Sequence, residues 1–107
     1  MNERAGDTTV HEVAERSRFE IHSGGRAAGY ATYRGGRGEM TFTHTEIDDE
    51  FEGRGLGGLL VRGALDTARE RGLAVYPECP FVRNWIEQHP EYADLVPAAE
   101  HARFGLG

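Results

Sequence analysis

The chain has 107 residues, of which 38% are hydrophobic and 28% are charged, and its formal net charge at pH 7 is −6. This length predicts one domain around a single hydrophobic core. The acidic balance argues against a nucleic-acid partner, because phosphate backbones require a basic surface. The single cysteine, Cys79, has no partner for an intramolecular disulfide, which fits a reducing compartment.

The sequence contains no apolar run as long as the roughly 20 residues of a transmembrane helix, and Met1–Val10 contains no signal-peptide core. We therefore expect a cytoplasmic monomer without a membrane partner. The polar segment Met1–Thr9 and the segment Pro97–Gly107 are predicted to be loose, which leaves a core from about residue 18 to residue 96. Val10–Ser17 has too few apolar residues to be assigned to an element.

Alternating apolar and polar residues predict three strands in the first half of the chain. Their predicted bounds are Arg18–Ser23, Ala27–Arg34 and Glu39–Ile47. Glycine-rich turns at Ser23–Arg26 and Gly35–Gly38 separate them. Turns this short connect antiparallel strands, so the three strands are expected to form a meander.

The third predicted strand ends in ionisable residues. Simple alternation places four of its side chains on one face, namely Met40, Phe42, His44 and Glu46. This face begins apolar and becomes ionisable towards the glycine-rich segment that follows. Asp48-Asp49-Glu50 then forms a solvated acidic bend.

Two helices are predicted in the second half of the chain. The first runs from about Gly55 to Arg71, ends at Gly72 and precedes a short strand, Leu73–Tyr76. The second is opened by Pro80 and stopped by His89-Pro90. The apolar stripe of the first helix consists of Leu56, Leu59, Leu60, Ala64, Leu65 and Ala68.

The order of these elements is an antiparallel meander followed by one β-α-β crossover. The predicted fold class is therefore α/β (α+β), with a mixed, mainly antiparallel sheet and helices on its faces.

A glycine-rich loop, Glu52–Gly58, stands between the third strand and the first helix. Glycine lets the backbone turn sharply and lets a ligand lie against it. The following helix begins with unpaired N–H groups and a partial positive charge. A loop of this kind before a helix is typical of a phosphate or pyrophosphate site.

This loop can be interpreted in several ways, which its spacing and its position in the chain help to separate. Gly53-x-Gly55-x-x-Gly58 has the spacing of the dinucleotide-binding fingerprint, but that motif follows the first strand of a β-α-β unit. A nucleoside triphosphatase loop requires Gly-Lys-Ser/Thr, which the sequence lacks. A glycine turn that binds nothing and a coenzyme A site are the remaining interpretations.

Several separated motifs together resemble the Gcn5-related N-acetyltransferase superfamily, and in particular its small single-domain, YjdJ-like or plant-type branch. The resemblance covers about residues 19–96. Gly55 and Gly57 match the two glycines of the family's pyrophosphate motif, whereas Glu52 replaces the Arg or Gln that leads it. The other matching segments are His44-Thr45-Glu46, Cys79-Pro80-Phe81-Val82, Trp85-Ile86 and His89-Pro90-Glu91-Tyr92.

The resemblance implies an N-acetyltransferase fold that binds acetyl-CoA and passes its acetyl group to a primary amine of a small molecule or a protein lysine. It implies that the pantetheine arm lies between two splayed strands, Glu39–Ile47 and Leu73–Tyr76. N–H groups near Ile47 and Asp48 would face that arm, and Asn84 would join the same site. The residues implied to hold the pyrophosphate are Glu52, Gly53, Arg54, Gly55, Leu56, Gly57 and Gly58.

Cys79 is the strongest nucleophile candidate, because it precedes the Pro80 helix and a helix N-terminus stabilises a thiolate. Such a thiolate could attack the thioester and carry the acetyl group. Its alternative role is that of a small buried hydrophobic residue. His44 or Glu46 could act as the base, with His44 as the partner of Cys79 and Glu46 orienting it or binding the amine.

Two other functions stay open at this point: a non-catalytic coenzyme A-binding module and a nucleotide-binding regulatory domain. The remaining histidines have no metal-ligand spacing along the chain, so no metal is predicted. They are His11, His22, His89 and His101.

Overall fold

The computed structural model describes residues 7–106. Its centre is a five-stranded sheet whose strands lie side by side in chain order. The first four strands pair antiparallel, and the fifth pairs parallel to the fourth. This arrangement confirms the predicted mixed, mainly antiparallel sheet. The strands are β1 (Thr8–Val13), β2 (Arg18–Ser23), β3 (Arg26–Gly36), β4 (Glu39–Ile47) and β5 (Ala74–Pro77).

Two α-helices accompany the sheet. Helix α1 (Leu56–Glu70) forms the crossover from β4 to β5, and α2 (Pro80–Gln88) follows β5. Among residues 7–106, no helix is long and apolar enough to cross a membrane. Short 3₁₀ segments occupy Ala14–Arg16, Asp49–Phe51, Pro90–Leu95 and Ala98–Glu100.

The hydrophobic core lies between the helices and one face of the sheet, which we call the inner face. The predicted stripe of α1 is buried there, except for Leu59, whose side chain is 41% exposed. A Cβ atom on Gly63 would lie 2.9 Å from Cγ1 of Val10, so α1 packs closely on β1. The largest fully buried side chains include Phe19, Ile21, Phe42, Leu60, Leu65 and Ile86.

Strand β1 was not predicted, because its six residues are mostly polar. It is a strand because it pairs with β2. The carboxylate of Glu12 stabilises it further by accepting hydrogen bonds from Arg71 and Tyr33. The prediction of a loose Met1–Thr9 segment is therefore wrong for Thr8 and Thr9, whereas residues 1–6 lie outside the described part of the chain.

The segment after Pro97 was predicted to be loose, and this prediction is wrong for residues 97–106. Phe104 is only 4% exposed and belongs to the core. The His101 ring nitrogen Nε2 lies 3.1 Å from the carbonyl oxygen of Ala93 and 2.9 Å from that of Val96. Leu106 also packs against the core, and Arg103 forms an ion pair with Glu78, so several side chains attach this segment to the domain.

A register shift between β3 and β4 changes the faces of β4. Thr32 pairs with His44, but the next residue of β3, Tyr33, pairs with Phe42. Thr43 is therefore an extra residue, a β-bulge, and beyond it the side chains exchange faces. The predicted common face of Met40, Phe42, His44 and Glu46 is wrong for its last two members, because simple alternation does not reveal a bulge.

Candidate active site

A cavity of about 490 Å³ lies where β4, the glycine loop and the two helices meet. It is lined by Thr45 and Ile47 of β4, by Phe51–Gly53 and Gly55–Gly58, and by Phe81 of α2. The bulge places the β4 residues here, because it turns Thr45 and Ile47 towards the helices. The cavity therefore connects the end of a strand with the beginning of α1.

The first two glycines of the loop give the backbone its turn. Gly53 and Gly55 have positive φ angles of 85° and 75°, and a Cβ on either would meet no described atom within 4 Å. Gly55 is the N-cap of α1, whose first turn has no side-chain cap and no acidic residue within the described helix. The first N–H groups of α1 are thus available to an anion in the cavity.

The last two glycines of the loop, Gly57 and Gly58, make room for the packing of α2. A Cβ on Gly57 would lie 2.6 Å from Cζ of Phe81, and one on Gly58 would lie 3.2 Å from Nε1 of Trp85. Their missing side chains let α2 approach the first turn of α1. Four glycines that look alike in the sequence therefore divide into two that shape the loop and two that permit helix packing.

The parallel ladder between β4 and β5 ends early. Its last pair is Phe42 with Pro77, and the Cys79 N–H then donates to the Phe42 carbonyl at 2.9 Å. Strand β4 continues to Ile47 without a β5 partner. This opening agrees with the splay that the family resemblance implies.

The N–H groups at the end of β4 are directed to two edges. The Asp48 N–H donates to the carbonyl of Ala28 at 2.8 Å, so it is not available for the pantetheine contact that was predicted for it. Successive N–H groups of an extended strand point to opposite edges. The Ile47 N–H is therefore directed to the open edge, and the Ile47 side chain lines the cavity.

Cys79 is the N-cap residue of α2 and is 3% exposed. Its Sγ lies 3.4 Å from Oγ1 of Thr45, a residue that lines the cavity. Cys79 itself is not among the lining residues, so its sulfur reaches the cavity wall only through Thr45. Thr45 was not predicted as a site residue, although it lies between two residues that were, since the alternation pattern directed it away from them.

His44 and Glu46 lie on the opposite, outer face of β4. The His44 Nε2 is 3.0 Å from Oε1 of Glu46, and the Tyr30 hydroxyl donates to the same oxygen at 3.3 Å. These hydrogen bonds, the one from His44 first, lower the pKa of Glu46. The predicted pairing of His44 with Cys79 is not formed, because neighbouring Thr45 is the β4 residue that contacts the sulfur.

The other predicted binding residues are partly in place. Glu52 lines the cavity, and the guanidinium of Arg54 lies 5.3 Å from the centre of the Phe51 ring. Asn84 does not line the cavity; it lies in a smaller neighbouring groove of about 230 Å³ that shares Phe81 with it. Tyr92 is not among the residues that line the cavity, and its hydroxyl donates a hydrogen bond to Asp66 of α1.

Residues 18–95 match the family model of the GCN5-related N-acetyl-transferases. This match covers most of the chain, so the protein belongs to that family. The superfamily resemblance inferred from the separated motifs is thereby confirmed.

Individual relatives agree with this assignment. Protein NATD1 of Mus musculus is 29% identical over 91 residues, which cover 82% of each chain. Protein NATD1 of Gallus gallus is 29% identical over 84 residues, or 76% of each chain. The solution structure of a GCN5-like protein from Staphylococcus aureus superimposes with a TM-score of 0.65 and 26% identity, covering 84% of this chain and 88% of that one.

Proposed function

We propose that this protein is an acetyl-CoA-dependent N-acetyltransferase that transfers an acetyl group to a primary amine of a small molecule or a protein lysine. The observation that carries this proposal is the cavity, which joins the open N-terminus of α1 to the unpaired end of β4 beside Cys79. Membership in the GCN5-related family supports the same chemistry.

The lining residues fit coenzyme A. N–H groups of Leu56–Gly58 are positioned to bind its pyrophosphate, and no side chain caps them within the described helix. The Ile47 N–H, at the open edge of β4, is suited to an amide of the pantetheine arm. When bound, acetyl-CoA supplies the thioester whose acetyl group is transferred.

Cys79 is the residue that we assign as the acetyl carrier. In the first step its sulfur bonds to the acetyl carbon as the carbon–sulfur bond to coenzyme A breaks, and the Cys79 proton leaves with the coenzyme A thiol. In the second step the amine nitrogen takes the acetyl group and the thiol of Cys79 is restored with a proton from that amine. The Thr45 hydroxyl, 3.4 Å from the sulfur, can donate to the thiolate.

The acceptor amine is assigned to the outer side of β4, and it would reach the acetyl group on Cys79 through the gap between β4 and β5 beyond their last pair, Phe42 with Pro77. The carboxylate of Glu46, whose pKa is lowered by hydrogen bonds from His44 and Tyr30, can bind an ammonium group. His44, 3.0 Å from that carboxylate, can take the proton that the amine loses before attack. A net charge of −6 also favours a cationic acceptor over an anionic one.

The test is a transfer assay on the full chain with acetyl-CoA and a panel of primary amines, including a polyamine and a lysine peptide. We expect release of free coenzyme A thiol together with an acetylated product identified by mass spectrometry. A parallel NMR titration with coenzyme A, NAD and ATP should shift the amide signals of Gly53–Gly58 with coenzyme A at the lowest concentration. A preference for NAD or ATP would contradict the proposal.

A non-catalytic coenzyme A-binding module is the second candidate function, and the burial of Cys79 at 3% exposure favours it. It predicts the same NMR response to coenzyme A. It also predicts no acetylated product with any amine of the panel, which separates it from the enzyme.

A further inference from the structure

A second polar cluster lies on the outer face of the sheet, on the two strands farthest from β5. His11 of β1 pairs directly with Glu20 of β2, and His22 follows on the same face of β2. The Glu20 Oε1 lies 3.1 Å from the His22 Nε2, and the two imidazole rings are 4.6 Å apart. One ligand atom from each of the three residues lies within 4.8 Å of the others.

We propose that His11, Glu20 and His22 form a binding site for a divalent transition-metal ion, with Zn²⁺ as the best match. Two imidazole nitrogens and one carboxylate oxygen suit zinc, and three protein ligands leave a fourth position for water. Magnesium and calcium prefer sites made of oxygen atoms alone.

The present geometry requires little change to hold the ion. Ligand atoms around a tetrahedral zinc lie about 3.4 Å apart when the bonds are about 2.1 Å long. The Glu20–His22 separation of 3.1 Å is already close to that value. His11 is exposed, so rotation of its side chain can close the remaining gap without disturbing the core.

Arg18 holds the carboxylate in a suitable orientation. Its guanidinium binds Oε2 of Glu20 at 2.7 Å, which leaves Oε1 facing the histidines. Such hydrogen bonds to a ligating carboxylate orient metal ligands in proteins. The positive charge of the Arg18 guanidinium repels a metal cation and therefore lowers the affinity of the site for it.

The ion would join β1, the edge strand, to β2. The sequence did not predict this site, because its residues come together only through the pairing of the two strands. Strand β3 lies between this cluster and the proposed acceptor residues of β4, and the cavity is on the other face of the sheet, so metal binding is proposed as a property separate from acetyl transfer.

The experiment titrates the full chain, without an affinity tag, with Zn²⁺ by calorimetry at neutral pH. We expect one ion per chain and a zinc-dependent rise in the unfolding temperature, because an ion bound only to the folded state stabilises it. Co²⁺ should give the visible absorption of a tetrahedral site. Acidification should weaken binding, since protons compete for the imidazole nitrogens.

The variants His11→Ala and Glu20→Gln should each lower zinc affinity by at least about tenfold and remove the rise in unfolding temperature. His44→Ala is the matched control, because His44 and Glu46 form a histidine–carboxylate pair at 3.0 Å on the same face and belong to no group of three potential ligands among residues 7–106. This control should bind zinc as the wild type does. No binding by the wild type, unchanged affinity in His11→Ala, or an equal loss in His44→Ala would overturn the proposal.

Discussion

The two helices begin in contrasting ways, although neither has a side-chain cap hydrogen bond. The N-cap residue of α1 is Gly55, in the left-handed conformation, and the first turn of α1 lines the cavity. The N-cap residue of α2 is Cys79, in extended conformation, and Pro80 is the first residue of the helix. The Cys79 N–H is already used by the carbonyl of Phe42.

The same physical feature, a helix N-terminus, therefore faces different surroundings in the two helices. Both helix N-termini carry partial positive charge. The N-terminus of α1 is open, so it suits an anion that arrives from solution. At the N-terminus of α2 the N-cap residue Cys79 is buried beside β4, whereas Pro80 and Phe81 are exposed, so the nearest group to this partial charge is the sulfur of the chain itself. Pro80 removes one donor there that a ligand could otherwise use.

The largest expected effect is at the N-terminus of α2. Cys79→Ala should lower acetyl transfer by at least about a hundredfold, because the acetyl carrier is lost. Coenzyme A affinity should stay unchanged, since the pyrophosphate contacts that we propose are made by α1. The measurements are steady-state transfer and calorimetric binding, with Cys79→Ser as the control that keeps the shape of the side chain. Full transfer by Cys79→Ala would show direct attack by the amine.

The next effect is at the N-terminus of α1. Gly55→Ala should weaken coenzyme A binding about tenfold and cost about 1 kcal/mol of stability, because alanine is strained at a φ of 75°. Gly72→Ala is the matched control: its φ is 68°, its Cβ would also meet no described atom within 4 Å, and it lies at the other end of α1. The control should lose similar stability in chemical denaturation but keep its coenzyme A affinity. Equal affinity losses would refute the proposed pyrophosphate site.

A smaller effect is expected from the carboxylate in the loop. Glu52→Gln should tighten coenzyme A binding by about threefold, because it removes a negative charge from the cavity wall near the helix N-terminus. The gain should shrink at high salt, where charge interactions are screened. Glu91→Gln, a similar change at an exposed position after α2, serves as the control. Weaker binding in Glu52→Gln would mean that the carboxylate contacts the ligand favourably.

The smallest effect is expected beside the sulfur. Thr45→Val should slow acetyl transfer and iodoacetamide alkylation of Cys79 by about twofold, because it removes the hydroxyl that lies 3.4 Å from Sγ. Thr41→Val, on the outer face of β4, is the control. Faster alkylation in Thr45→Val would show that the hydroxyl shields the thiol instead of stabilising its thiolate.

Much of the fold was predictable because it depends on local patterns. The predicted bounds of β2 and β4 agree with the structure, and Pro80 and Pro90 bracket α2 as expected. The glycine loop was also recognisable from residues close together in the chain, and the family from several such short motifs in order along it. These features need no knowledge of which strand pairs with which.

The unpredicted features all depend on pairing between distant segments. The bulge at Thr43 is defined by the pairing register of β4 with β3. Because of it, Thr45 instead of His44 faces the cavity. Strand β1 has a weak pattern of its own and is defined by β2. The burial of Phe104 likewise depends on a surface that other elements create.

The close packing of α2 on α1 gives the molecule a built-in optical probe. Trp85 is the single tryptophan of the chain, and its indole nitrogen lies beside the backbone of Gly58 in the first turn of α1. Its ring stacks on the imidazole ring of His89, with 3.8 Å between the two ring centroids. Indole emission depends on its immediate surroundings, so intrinsic fluorescence can follow events at that turn without any label.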